Sequence, residues 1–411
     1  MCIRNMLTCQ DSAIDYINAR PLRIGLVTET FPPEINGVAM TLNRLARGLK
    51  DLDHEIEVYR PKTPDIKHAI NNSRIKQILM PGMPIPVYRE MSFGFPAGRF
   101  FRKQWNGTRP DILYVATEGP LGYSAIHAAR KLGIPVVSGF HTNFHKYSSH
   151  YRMGWFAPVI MAYLRKLHNN TQYTLVPTRA LAIELEYHDF NNVTVMQRGV
   201  DTELFSPSRR SDDLRRQWQA GDDEIVCIYV GRIAAEKNIH QAIETVKAAS
   251  AQCKVRFVLV GDGPLREKLQ QEHPEFIFCG THQGESLAQH YASADVMLFP
   301  SRTETFGNVV TEAMASGLAV VAYDEAAAHE HITDGQNGAI ATAGYDNDFT
   351  FRTIQLCRQK DTIKRLGKNA SAYCTALGWP MIVNQFETIL HKAMQVHSSA
   401  TGNGCSQEAP S

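Results

Sequence analysis

The chain is predicted to be an α/β protein of two doubly wound, Rossmann-like domains facing a central cleft, and three observations predict it. With 411 residues, 44% of them hydrophobic and 20% charged, it has length for two or three domains of roughly 100 to 200 residues, each able to bury a sizeable core. Short β-branched or aliphatic runs alternate with amphipathic helical patterns, which implies parallel sheets covered on both faces. That alternation comes as two series, one in each half of the chain.

In the first series strands are expected at 22–28, 55–60, 111–117, 135–140, 173–177 and 193–197. The first is followed by a helix over 37–50, where Val38, Leu42, Leu45 and Leu49 recur on one face. The run RGVDTELFSPS at 198–208 then breaks the periodicity. The second series has strands at 225–230, 256–260, 276–279, 296–300 and 318–322. A last amphipathic helix covers 379–394, with Ile382, Phe386, Ile389 and Leu390 on its stripe. The resulting division is an extension over 1–20, a first domain over 21–200, a second over 201–377, a helix over 378–396 crossing back to the first domain, and a polar disordered tail over 397–411.

Composition excludes collagen, a disordered chain and a small disulfide scaffold. The eight cysteines, at 2, 9, 227, 253, 279, 357, 374 and 405, form no C-x-x-C pair and fit thiols in a reducing compartment. No apolar run approaches the roughly 20 residues that span a bilayer, and the N-terminus lacks a signal-peptide pattern, so a cytoplasmic chain is expected. The net charge of +2 hides an asymmetry. Residues 1–200 carry 24 basic and 15 acidic side chains against 19 and 26 in the remainder, a split of +9 and −7. The basic half is expected to face something anionic.

Ligands of doubly wound sheets bind at the carboxyl ends of strands, so chemistry is sought in the turns that follow them. After the first strand, TETFPPEINGV puts Gly37 at the start of a helix, where backbone N–H groups suit an anion; a plain loop glycine explains it equally. A G-x-G-x-x-G run is absent there, which argues against a dehydrogenase. GRIAAEKN places Arg232 and Lys237 five residues apart after a buried strand, either as a diphosphate clamp or as a solvated charged loop. In GDGPLREKL, a tight turn with Pro264 at the first helical position accounts for Gly261 and Gly263. The most specific stretch is PSRTETFGNVVTEAMASG, with Glu304 in a turn and Glu312, after seven intervening residues, on a helix starting near Gly307 and Asn308. Glu312 suits neighbouring ribose hydroxyls, and Glu304 the hydroxyls of a sugar near its reacting carbon. His141, His145 and His150 follow another strand; no H-E-x-x-H pattern or acidic third ligand accompanies them, so His141 is read as a hydrogen-bonding group at the sheet edge rather than a metal ligand.

Assembled, these motifs resemble the retaining glycosyltransferases of family 4, which have the GT-B fold, over nearly the whole chain. ETFPPEINGVAMTLNRLARGL, TEGPLGYSA and GFHTNFHKYSSHY look most like the subgroup of GDP-mannose-dependent α-mannosyltransferases and sulfoquinovosyltransferases. The resemblance implies that Arg232, Lys237 and Gly37 hold the donor diphosphate. It further implies that Glu304, Phe306, Gly307 and Asn308 bind the donor sugar, that Glu312 binds the ribose, and that His141 and Glu304 are the catalytic pair. It implies transfer of a hexosyl group, GDP-mannose favoured as donor, to a lipid or lipid-linked acceptor, without a metal or other cofactor. The alternatives are a UDP-sugar-dependent glycolipid synthase (sulfoquinovosyl, glucosyl or glucuronosyl transfer), a GT-B nucleotide-sugar epimerase and a non-catalytic nucleotide-sugar-binding module. One departure stands out: many family members have Gly-Gly in the first loop, where this chain has Asn36-Gly37.

Two stretches suit an anionic membrane surface and disfavour nucleic acid as the partner. Phe93, Phe95, Phe100, Phe101 and Trp105 interleave with Arg99, Arg102 and Lys103, and Trp155, Phe156 and Tyr163 with Arg152 and Arg165. Helices with an apolar face on the core and a basic solvated edge would show the same pattern. The expected location is cytoplasmic and peripheral on the inner membrane face.

Overall fold

The structure, a computed structural model, describes residues 20–34, 36–62, 75–85, 88–140, 157–221, 223–302 and 307–402. Its chain divides into two compact units, one of residues 1–175, 185–194 and 386–411, the other of residues 176–184 and 195–385.

The first unit is built on a seven-stranded sheet in the order Ile75–Met80, Glu55–Pro61, Arg23–Val27, Ile112–Val115, Val136–Gly139, Tyr173–Val176, Val193–Val195. Leu26 lies in parallel register with Val58 on one side and Tyr114 on the other. Strand order reverses beside Arg23–Val27, so the turns after that strand and after Ile112–Val115 face the switch point. The helix Gly37–Asp51 buries Leu42, Leu45 and Leu49 as its periodicity predicts.

Two features of this unit add to the sequence reading. Residues 82–94 form an antiparallel hairpin of Gly82–Ile85 and Tyr88–Gly94, and the helix Gly98–Gly107 follows. The aromatic stretch is therefore divided between core and solvent. Phe101 and Trp105 are fully buried, stacked at 4.6 Å, with Trp105 Nε1 donating to the Tyr59 hydroxyl at 3.0 Å. Only Phe95 and Phe100 stay exposed.

The second unit has a six-stranded parallel sheet in the order Ile277–Gly280, Val255–Val260, Ile225–Val230, Val296–Phe299, Ala319–Tyr323, Ala339–Ala341. Successive residues of a strand point to opposite faces. Val226, Ile228 and Val230 enter one apolar core, while Ile225, Cys227 and Tyr229 enter the other, so the strand reads as one continuous apolar run.

The final helix runs Trp379–Gly402, six residues beyond the start expected for a disordered tail. On the first unit Phe386 packs edge-on to Tyr114 at 4.9 Å, and Glu387 accepts from His54 Nε2 at 2.9 Å. His397 extends this docking, with its ring nitrogen 3.1 Å from the carbonyl of Gly133, which explains why a polar segment stays helical. Among the described residues no helix is long and apolar enough to cross a membrane.

Candidate functional site

In the second unit the switch point lies between Ile225–Val230 and its neighbour Val296–Phe299, and most of the described candidate residues gather on the turns beyond these two strands. The turn 231–238 is fixed chiefly by backbone. Ile233 N–H donates to Asp262 at 2.9 Å, Leu265 N–H donates back to Ile233 at 3.2 Å, and Gly231 N–H donates to Val260 at 3.0 Å. The glycines of GDGP permit this approach: a Cβ on Gly261 would lie 1.9 Å from the Gly231 oxygen, and one on Gly263 2.3 Å from that of Ile233. Close backbone contact, rather than a tight turn alone, is thus their role. Pro264 also lies outside the helix, which begins at Arg266.

Arg232 stands largely in solvent, paired with Glu236 at 3.1 Å, and its carbonyl accepts from the Tyr229 hydroxyl at 2.9 Å. Lys237 closes the short turn Ala235–Lys237. Asn238 follows in the left-handed region, φ 54°, and its Nδ2 donates to the Pro300 carbonyl at 3.3 Å. That bond joins the cationic turn to the end of the neighbouring strand.

Beyond Pro300, Arg302 pairs with Asp346 and lies over the Tyr323 ring, 4.9 Å from its centroid; the Tyr323 hydroxyl donates to the same carboxylate at 2.6 Å. Glu304 and Phe306 lie outside the described residues. Gly307 follows with φ 81°, a conformation that favours glycine, and caps the helix Asn308–Ala315. Glu312, on that helix, accepts from the Tyr291 hydroxyl at 3.1 Å. Burial pushes its carboxyl up to about 7, against the pull of that hydrogen bond. A next turn along the sheet edge, 281–284, carries His282, whose ring stacks on His290 at 4.0 Å.

In the first unit the switch-point turns hold carboxylates. Glu29 N–H donates to Thr117 Oγ1 at 2.9 Å, and one carboxylate oxygen accepts from Gly94 N–H. Burial pushes Glu29 up to about 7. Gly37 is exposed at the start of its helix, with Asn36 as N-cap. His141, His145 and His150, like Trp155 and Phe156, fall outside the described residues.

Of the expected residues, the structure brings together Arg232, Lys237, Gly307, Asn308 and Glu312 on one sheet edge of the second unit, whereas Gly37 belongs to the first. Sequence reasoning missed Tyr291, Asn238 and Arg302. Only Asn238 left a local trace, as a polar residue immediately before a helix. Among the described residues no group of three or more His, Cys, Asp or Glu is placed to hold a metal ion.

Comparison with known proteins adds to this geometry. A family model described as Glycosyltransferase Family 4 matches residues 35–204, and one described as Glycosyl transferases group 1 matches residues 224–359. The chain is 34% identical over 368 residues to a GDP-mannose-dependent alpha-mannosyltransferase of Mycobacterium tuberculosis, covering 89% of this chain and 95% of the relative. It is 29% identical over 374 residues to an alpha-monoglucosyldiacylglycerol synthase of Acholeplasma laidlawii, covering 85% and 92%. Its fold is similar to that of a sucrose-phosphate synthase of Thermosynechococcus elongatus, with a TM-score of 0.71 at 18% identity over 91% of this chain and all of the other.

Proposed function

The chain belongs to glycosyltransferase family 4, and we propose that it is a metal-independent retaining hexosyltransferase that moves mannose from GDP-mannose to a lipid or lipid-linked acceptor at the cytoplasmic membrane face. The observation that carries this reading is the second unit's sheet edge, where a backbone-held turn offers Arg232 and Lys237 beside a helix bearing Glu312. Two cations and the start of the helix Ile239–Ser250 suit the charge that develops on a departing diphosphate. Glu312 serves the ribose, while Gly307, Asn308, Phe306 and Glu304 serve the sugar. Gly37 is assigned to phosphate oxygens and His141 to the neighbourhood of the anomeric carbon.

In the proposed reaction the acceptor hydroxyl attacks the anomeric carbon from the face that the diphosphate leaves. The sugar–phosphate bond breaks, the new glycosidic bond forms on the same side, and the departing phosphate oxygen takes the hydroxyl proton. No separate base is then required, and Glu304 acts by position and charge.

GDP-mannose is favoured because of the mycobacterial relative's name. A second reading, a UDP-sugar-dependent glycolipid synthase, draws support from the relative named as a diacylglycerol glucoside synthase. A nucleotide-sugar panel distinguishes them: GDP-mannose should raise the melting temperature most and should release GDP only when lipid extract is present. Release without acceptor would favour an epimerase or hydrolase, and no release a binding module. Full transfer by Glu304→Gln would remove Glu304 from the mechanism.

For the membrane, the exposed Phe95 and Phe100 with Arg99, Arg102 and Lys103 are the proposed contact. Co-sedimentation with anionic vesicles should weaken with salt and in Phe95→Ser/Phe100→Ser; indifference to both would overturn it.

A further inference from the structure

Below Gly37 lies a charge that the proposed reaction does not use. The Arg60 side chain, at the end of Glu55–Pro61, is wholly buried, an environment arginine occupies almost only when paired. Its Nη1 donates to the carbonyls of Phe31 and Pro32 at 2.6 and 2.7 Å, and its Nη2 to Glu34 Oε1 at 3.1 Å. The other Glu34 oxygen accepts from the Thr30 hydroxyl at 2.6 Å, and Thr30 Oγ1 accepts from Asn36 Nδ2 at 2.7 Å. Asn36 Oδ1 then accepts from Ala39 N–H at 2.9 Å. One continuous path of hydrogen bonds therefore runs from a buried guanidinium to the first turn of the helix that begins at Gly37.

Burying an ion pair is a poor route to stability, since apolar groups of the same volume commonly do as well. What this path provides is a set shape. The cap answers Ala39, leaving the Gly37 and Val38 N–H groups ahead of the helix's own bonding. Asn36 holds the turn where glycine, with no side chain, could make neither bond.

We propose that Arg60, Glu34 and Asn36 are positioning residues for transfer, fixing the helix start at Gly37 in the orientation the substrate uses. The proposal rests on the assignment of Gly37 to phosphate oxygens made above. None of the three is placed in contact with substrate; they act through Gly37, so their effect should be larger on turnover than on nucleotide binding, which Arg232, Lys237 and Glu312 also serve in the proposed reading.

The test is steady-state kinetics on the full chain with Asn36→Ala, Asn36→Ser, Glu34→Gln and Arg60→Lys, alongside Lys237→Ala. Asn36→Ala is expected to lower kcat by about 10- to 100-fold, with KM for the nucleotide sugar within about threefold of wild type. Thermal stabilisation by the nucleoside diphosphate should fall less than turnover does, and less than in Lys237→Ala. Asn36→Ser keeps an acceptor for Ala39 but loses the separate Nδ2 arm that reaches Thr30, so it should fall between Asn36→Ala and wild type. Should Arg60→Lys fail to fold, Asn36→Ala and Glu34→Gln carry the test. A kcat within about twofold of wild type in both would overturn the proposal, as would a loss that appears only as a lower melting temperature. Full transfer by Lys237→Ala would instead overturn the reading of the donor site.

Discussion

Two turns occupy equivalent places in two sheets, each following the strand beside which strand order reverses, yet they are held by opposite means. After Ile225–Val230 the backbone carries the geometry, because the turns 231–233 and 261–265 bond to each other directly. Arg232 stays 64% exposed even in its pair with Glu236. After Arg23–Val27 no such partner turn is zipped alongside among the described residues, and side chains carry the geometry instead, with Arg60 0% exposed. A turn shaped by backbone can leave a cation such as Arg232 in water for a ligand. One shaped by charges has already committed its own.

The two arginines give the largest expected effect. Arg232→Ala with Lys237→Ala should lower transfer by about 10²- to 10³-fold, with little change in urea unfolding, because an exposed pair such as Arg232–Glu236 contributes about 0–1 kcal/mol. Arg60→Ala should cost about 3–5 kcal/mol in the same unfolding measurement, since it strands buried acceptors and Glu34. Equal destabilisation by both would break the comparison.

Next in size is Gly261→Ala. With φ 139° and the Gly231 oxygen 1.9 Å from the added Cβ, the two turns must separate, at about 1–3 kcal/mol. Calorimetry should also show weaker stabilisation by nucleoside diphosphate. Wild-type stability and binding would mean that the backbone contact does not set the turn.

The smallest effect sharpens what the two units share, a buried carboxyl near each switch point. Burial pushes Glu29 and Glu312 up to about 7 from an ordinary 4.5, so the folded chain holds their protons more tightly than the unfolded chain. Their contribution is complete below about pH 4.5 and is lost as pH rises through about 7. Between about pH 6 and pH 8 each should remove on the order of 1 kcal/mol. Melting temperature should therefore fall over that range, and fall less in Glu29→Gln and Glu312→Gln; an unchanged slope in both variants would contradict the assigned shifts.

The strands easiest to read were those buried on both faces. Ile225–Val230 is six apolar residues in a row, whereas Ile75–Met80 carries Lys76 and Gln77 at a sheet edge, and Ala339–Ala341 is too short to show a period. The hairpin at 82–94 was hidden by its prolines and by an aromatic run whose division between core and solvent depends on tertiary packing. In the candidate site, residue type and spacing picked out Arg232, Lys237 and Glu312. Arg60, Arg302 and Tyr291 were not legible, because each acts through a partner between 21 and 44 positions away, and Asn238, bonded 62 positions away, showed only as a polar residue before a helix.

The contact of Gly231 with Gly261 and of Ile233 with Gly263 also limits how this unit can change. Neither turn can gain or lose a residue without dislodging the other, so their lengths are tied together. The turn 281–284 is looser at its far end, where a Cβ on Gly284 would meet nothing within 4 Å. A side chain at Gly284 has space and meets only the strain of φ 56°, while the two zipped turns keep their size.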